Sequence, residues 1–103
     1  MELHNGNNAS GVDLLNLVFM NLFLLGKVKS GSDFSVKWLG MNSHYYSLIK
    51  SGGGRTASST AFGNLIRMVY YEIDNEADCI IRSKLAIMAS FITNELERLE
   101  HLA

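Results

Sequence analysis

From Ile81 to Leu102 the apolar residues Ile81, Leu85, Met88, Ile92, Leu99 and Leu102 recur at alternating intervals of three and four, interrupted at Glu95. That is the period of one face of an α-helix. Ile80, Ala89, Phe91 and Leu96 widen the stripe. With Asp74 or Asn75 as cap and Glu76 and Asp78 in the opening turn, the spacing predicts a helix over 75–102. Such a helix is roughly 28 residues and about 42 Å long. One small domain covers less than that, so Ile81, Leu85, Met88, Ile92 and Leu99 are expected to form a homodimer interface. No proline occurs anywhere, and only glycines and short Ser/Asn/Gly clusters punctuate the chain. An all-α fold of about five helices follows.

Upstream, residues 1–11 are polar and are expected to be a flexible N-terminus, leaving 12–103 as a single helical domain. A first helix is expected from Val12 to about Lys29, apolar at Leu14, Leu15, Leu17, Val18, Phe19, Leu22, Leu24 and Leu25. More than one face is apolar, which reads as a buried core helix closed by Gly26 or Gly31. Crossing a bilayer takes about 20 apolar residues. The run Val12–Leu25 is shorter and contains Asp13, Asn16 and Asn21, so no membrane span is expected. The segment before it carries Glu2 and no Lys or Arg, unlike a signal peptide.

A second, short helix takes Ser30 or Ser32 as cap, presents Phe34, Trp38, Val36 and Leu39, and stops at Gly40. Trp38 reads as core, with a stacking platform for single-stranded nucleic acid as the sharper alternative. Helix restarts with Asn42 or Ser43 as cap. Tyr45 and Tyr46 are adjacent and cannot both point inward; Tyr46 is assigned to the core, and Tyr45 lies between a groove contact and a cover. The glycines of SGGGR make a loop. A fourth helix is expected from about Ser58 to Tyr71 through Ala61, Phe62, Leu65, Ile66 and Val69.

Chemistry-bearing sets are sparse. Cys79 is the single cysteine, read as a small buried hydrophobe in a reducing, cytoplasmic setting. His4, His44 and His101 lack ligand spacing, so no metal is expected. SGGGR lacks the order of a phosphate-binding P-loop, and no nucleophile–base set stands at a recognisable motif. The expectation is a non-enzyme without a cofactor. Glu95, Glu97 and Glu100 read as a solvated face opposite Arg98.

Charge is arranged in blocks. Residues 1–26 are acidic through Glu2 and Asp13, and residues 72–103 hold seven acids against Arg82, Lys84 and Arg98. Residues 27–71 hold Lys27, Lys29, Lys37, Lys50, Arg55 and Arg67 against Asp33 alone. The overall charge of −1 therefore hides a basic middle, and a basic face is the electrostatic footprint of a polyanion partner. Within it, WLGMNSHYYSLIKSGGGR gathers aromatics, hydroxyls and cations and contains no carboxylate.

A short helix, a glycine turn and a second short helix is the plan of a helix-turn-helix. Val36 falls where the two helices would cross, and Met41, Tyr46 and Ile49 fall at its inner anchors. Leu39, Gly40, Met41, Tyr45, Ser47, Ile49 and Gly52 match the pattern of the Xre/Cro/phage-repressor family, which this stretch resembles. The resemblance extends more loosely over 32–70, with a module at 32–71. Ser35 stands where that family commonly buries leucine, with Phe34 one step out of phase, and Lys50 stands where it often carries glutamate.

The resemblance implies a lambda-repressor-like core and a small bacterial or phage-like regulator of transcription that binds duplex DNA as a dimer. It implies base-facing residues Asn42, Ser43, His44, Tyr45 and Leu48 in the major groove, with Asn42 suited to adenine and His44 to a guanine acceptor. Lys37, Lys50, Gly53, Gly54, Arg55 and Thr56 would meet phosphates. The alternative is a helical interaction or scaffold protein that keeps the fold without DNA binding and pairs with a protein partner through apolar outer helices.

Overall fold

Five helices carry the chain across residues 10–51 and 57–102, the parts that the computed structural model describes. They are α1 (Ser10–Leu24), α2, α3 (Tyr45–Lys50), α4 (Ser59–Asn75) and α5 (Cys79–Leu102). Helix α2 opens over Gly31–Asp33 and continues in wider π-type turns over Phe34–Trp38. The protein is all-helical, with no strand among the described residues. Of the N-terminus expected to be flexible, 1–9 lie outside the described residues, and α1 already starts at Ser10.

Local chemistry sets the ends. Gly26, at φ +76°, closes α1, its N–H donating to Phe23 O while the N–H of Lys27 reaches back to Leu22 O. This paired closure needs a left-handed residue, which glycine adopts without strain. Ser30 caps α2 by accepting from the N–H of Asp33, and Ser58 caps α4 by accepting from the N–H of Ala61. Helix α4 runs past Tyr71 to Asn75, so neither Asp74 nor Asn75 caps α5. Asp78 does, its Oδ1 accepting from the N–H groups of Ile80 and Ile81. Glu76, expected in that opening turn, instead ends α4 by donating its N–H to Ile73 O.

The π-type turns of α2 correct the expected helix crossing. The N–H of Leu39 bonds to Phe34 O at 3.0 Å, and that of Met41 to Ser35 O at 2.9 Å. The extra residue per turn brings Phe34, Ser35, Trp38 and Leu39 all to the inner side and leaves Val36 exposed. Ser35 therefore occupies the crossing assigned to Val36. Its hydroxyl donates to Gly31 O at 2.8 Å and accepts from the N–H of Tyr46 at 2.9 Å, hydrogen-bonding α2 to α3.

One apolar cluster draws on every helix. Leu15, Val18 and Leu22 of α1 meet Phe34 and Trp38 of α2, Tyr46 and Ile49 of α3, Phe62 and Leu65 of α4, and Leu85 and Ile92 of α5. The most extensive packing is between α4 and α5. The burial of Trp38 closes the stacking-platform alternative. Cys79 is exposed at the start of α5, contrary to its expected burial.

The stripe expected to dimerise is turned inward. Leu85 and Ile92 are fully buried, Met88 is nearly so, and Ile81 and Leu99 are partly buried against the core. The premise also changes: α5 has 24 residues, roughly 36 Å, and the molecule's longest dimension is 38 Å. Its own fold therefore spans it. Glu95 continues this inward face instead of solvating, with its carboxylate held by Arg98 Nε at 3.0 Å and Nη2 at 2.6 Å. Helix α1 departs in the other direction, because Leu17, Met20, Phe23 and Leu24 are exposed. At 15 residues α1 is short, and among the described residues no helix is long and apolar enough to cross a membrane.

Candidate nucleic-acid interface

Gly40 ends α2 at φ +65°, a conformation in which a side chain is strained. The chain then turns through Met41 to His44 before α3 begins at Tyr45. Neither Asn42 nor Ser43 caps the helix in the expected way. The Oδ1 of Asn42 accepts from the N–H of His44 at 2.9 Å, and its carbonyl accepts from the N–H of Tyr45 at 3.1 Å. Asn42 thus shapes the turn with its oxygen, and its amide nitrogen is the end left to point elsewhere.

Helix α3 is six residues long and is held from beneath. Tyr46 and Ile49 are buried one turn apart. The Tyr46 ring lies edge-on to Phe34 with centroids 5.1 Å apart, and its centroid is 4.9 Å from that of Phe19. The Tyr46 phenol donates to Asn16 Oδ1 at 2.6 Å, tying α3 to α1. Burial pushes that phenol above its ordinary pKa. Tyr45 is half-buried, and its hydroxyl accepts from the N–H of Ser58 at 3.0 Å. Tyr45 is therefore a cover that ties α3 to the entry of α4, rather than a wholly outward base reader.

With those anchors inward, Asn42, Ser43, His44, Ser47, Leu48 and Lys50 are exposed. Lys50 lies beside the Tyr46 ring, with Nζ 5.9 Å from its centroid. Four of the five residues assigned to base edges thus lie exposed along one short stretch of chain, with Tyr45 partly withdrawn. Of the residues assigned to phosphates, Lys37 and Lys50 are exposed, while Gly53, Gly54, Arg55 and Thr56 lie outside the described residues.

Packing adds a feature that the sequence reading did not assign. A groove of about 320 Å³ opens at the α2–α3 turn, lined by Lys37, Gly40, Asn64, Arg67, Met68 and Tyr71. Asn64 Nδ2 donates to Leu39 O at 2.9 Å, and Asn64 Oδ1 accepts from Arg67 Nη2. The Arg67 guanidinium is thereby held by α4 next to the turn and on the same groove as Lys37. Arg67 and Asn64 are one turn apart on α4, but their relation to Gly40 is tertiary, so spacing alone carries no sign of it.

No carboxylate lines this groove. Between Asp33 and Glu72 the chain has none. Lys27, counted with the basic middle, is neutralised from outside it: its Nζ is 3.0 Å from Glu72 and 2.5 Å from Glu76. Among the described residues, the exposed cations of the basic middle are Lys29, just before α2, and Lys37, Lys50 and Arg67, on α2, α3 and α4 in turn. Comparison with protein-family models, curated proteins and solved structures finds no match to the chain.

Proposed function

We propose that the protein binds duplex DNA, with α2 and α3 acting as a helix-turn-helix and the protein regulating transcription in the cytoplasm as a dimer. The observation that carries this reading is the surface around the α2–α3 turn, whose groove has no carboxylate in its lining. It presents amide, hydroxyl, imidazole and apolar groups from Asn42 to Leu48, with Lys37, Lys50 and Arg67 alongside. Major-groove edges are read by short polar side chains and by apolar contact to thymine methyl groups, and the cations suit flanking phosphates. His44, Ser43, Leu48 and the amide nitrogen of Asn42 are the base-facing groups in this reading; Tyr45 supports them. Arg67 joins Lys37 and Lys50 as a phosphate contact, held in place by Asn64.

Salt titration of binding to mixed duplex fragments tests it. Three neutralised phosphates per protomer, six for the proposed dimer, make affinity fall roughly 2,000-fold between about 50 and about 200 mM salt. Binding that is absent at low salt, or indifferent to salt, would count against a DNA face.

The second reading, an interaction protein without DNA binding, is favoured by a different observation: large apolar side chains are exposed on α1 and α5, away from the turn.

A further inference from the structure

Leu17, Met20 and Leu24 fall at i, i+3 and i+7 on α1, and each is more than half exposed. That spacing places them on one helix face, opposite the buried Leu15, Val18 and Leu22. On α5, Ile80, Ile87 and Phe91 follow i, i+7 and i+11 and are likewise more than half exposed. The two stripes meet. Leu14, Leu17 and Asn21 face Lys84, Ile87 and Phe91 across an apolar groove of about 240 Å³ between the helices. Exposed apolar residues scattered singly are ordinary, but a joined patch on two helices is not.

We infer that this α1–α5 face is the contact surface for a second copy of the chain, replacing the inward stripe of Ile81, Leu85, Met88, Ile92 and Leu99. Area supports a whole protein partner. A half-exposed large apolar side chain presents on the order of 100 Å², so the six residues offer about 600 Å². A standard interface takes about 800 Å² from each partner, close to three-fifths of it apolar, or roughly 500 Å². The patch meets that need without rearrangement and lies at the upper end of what a monomer leaves open.

Charge selects the twin among protein partners. Among the described residues the face carries Asp13, exposed one turn before Leu17, and Lys84, one turn from both Ile80 and Ile87, besides Arg98, seven residues past Phe91, whose charge is met by Glu95. A surface holding one charge of each sign is its own complement under a two-fold axis, where residue i meets j and j meets i. The groove, rimmed by Leu17 and Phe91, likewise provides both a recess and the apolar knobs to fill one. This inference does not rest on DNA binding, since a dimer that binds no DNA leaves it intact.

The test is the mass in solution of the full chain without DNA, at about 10 and about 100 µM, for wild type, Leu17→Glu and Ile87→Glu. The expected result is a wild-type mass twice the 11.4 kDa of the chain and monomers for both variants. Both substituted positions are exposed, so helical circular dichroism should be unchanged. Should one variant lose its helicity, the other decides. A wild type that stays monomeric at both concentrations overturns the inference. So do folded variants that remain dimeric.

Discussion

The phenol of Tyr46 donates to Asn16 Oδ1 at 2.6 Å, joining α3 to α1 across 30 residues of sequence. Helix α3 has fewer than two turns and little stability of its own. Its placement therefore depends on this bond, on the Ser35 hydroxyl that accepts from the Tyr46 N–H, and on the rings of Phe19 and Phe34. Tyr46→Phe keeps the ring and removes only the bond. It should cost about 1 kcal/mol, lowering the melting temperature by roughly 4–8 °C. Calorimetry or a circular-dichroism melt reads this directly. An unchanged melting temperature would mean that the bond does not fix α3.

Gly40 is constrained twice over. Its φ of +65° disfavours any side chain, and a Cβ built there would lie 2.5 Å from Asn64 Nδ2. Gly40→Ala should cost about 1–2 kcal/mol from the backbone alone. It should also displace Asn64 from Leu39 O and release Arg67. On the proposed function, Gly40→Ala therefore weakens DNA binding at a temperature where the variant is still folded, whereas Gly26→Ala, with nothing near its Cβ, costs stability alone. Equal binding by the two folded variants would separate Asn64 from the DNA face.

The Lys27 pair sets a pH dependence. The hydrogen bond from Lys27, followed by that from the N–H of Asp78, holds the Glu76 carboxyl below its ordinary range. The hydrogen bond to Glu76 raises the Lys27 ammonium; burial opposes this, and Glu72 adds to it. A depressed carboxyl gives stability above its unfolded value, near 4, and loses it as pH falls through the lower folded value. A raised lysine gives stability below about 10 and loses it as pH climbs through the higher folded value. Lys27→Met should therefore melt below wild type at pH 7, with the gap narrowing toward pH 3 and below. A gap independent of pH would assign the loss to packing.

Much of the fold is written in local chemistry. The apolar spacing marks every helix, Ser30 and Ser58 mark two starts, and Gly26 and Gly40 mark two ends. What escapes is what neighbours decide. The π-type turns of α2 shift its phase by one residue, so Ser35 goes in and Val36 out, a choice favoured by the Tyr46 N–H waiting for an acceptor. Glu95 breaks an apolar stripe on paper, yet it is buried because Arg98 reaches it from the next turn. The sides of α1 and α5 that face the core depend on all five helices together. That is how residues expected at a dimer seam came to lie inside, while Leu17, Ile87 and Phe91 lie outside. At the candidate site, the exposure of Asn42, Ser43 and His44 follows from the polar run before Tyr45. The place of Arg67 beside Gly40 does not, because the link through Asn64 crosses 25 residues.

The most direct test of the DNA reading is equilibrium binding of wild type and the Lys37→Glu/Lys50→Glu/Arg67→Glu variant to the same mixed duplex fragments, at about 50 and about 200 mM salt. All three side chains are exposed, so helical content and melting should remain close to wild type. The expected result is wild-type binding that weakens steeply with salt and a folded variant with no measurable binding at either concentration. A folded variant that binds as tightly as wild type, with the same dependence on salt, would contradict the assignment of the α2–α3 face to DNA.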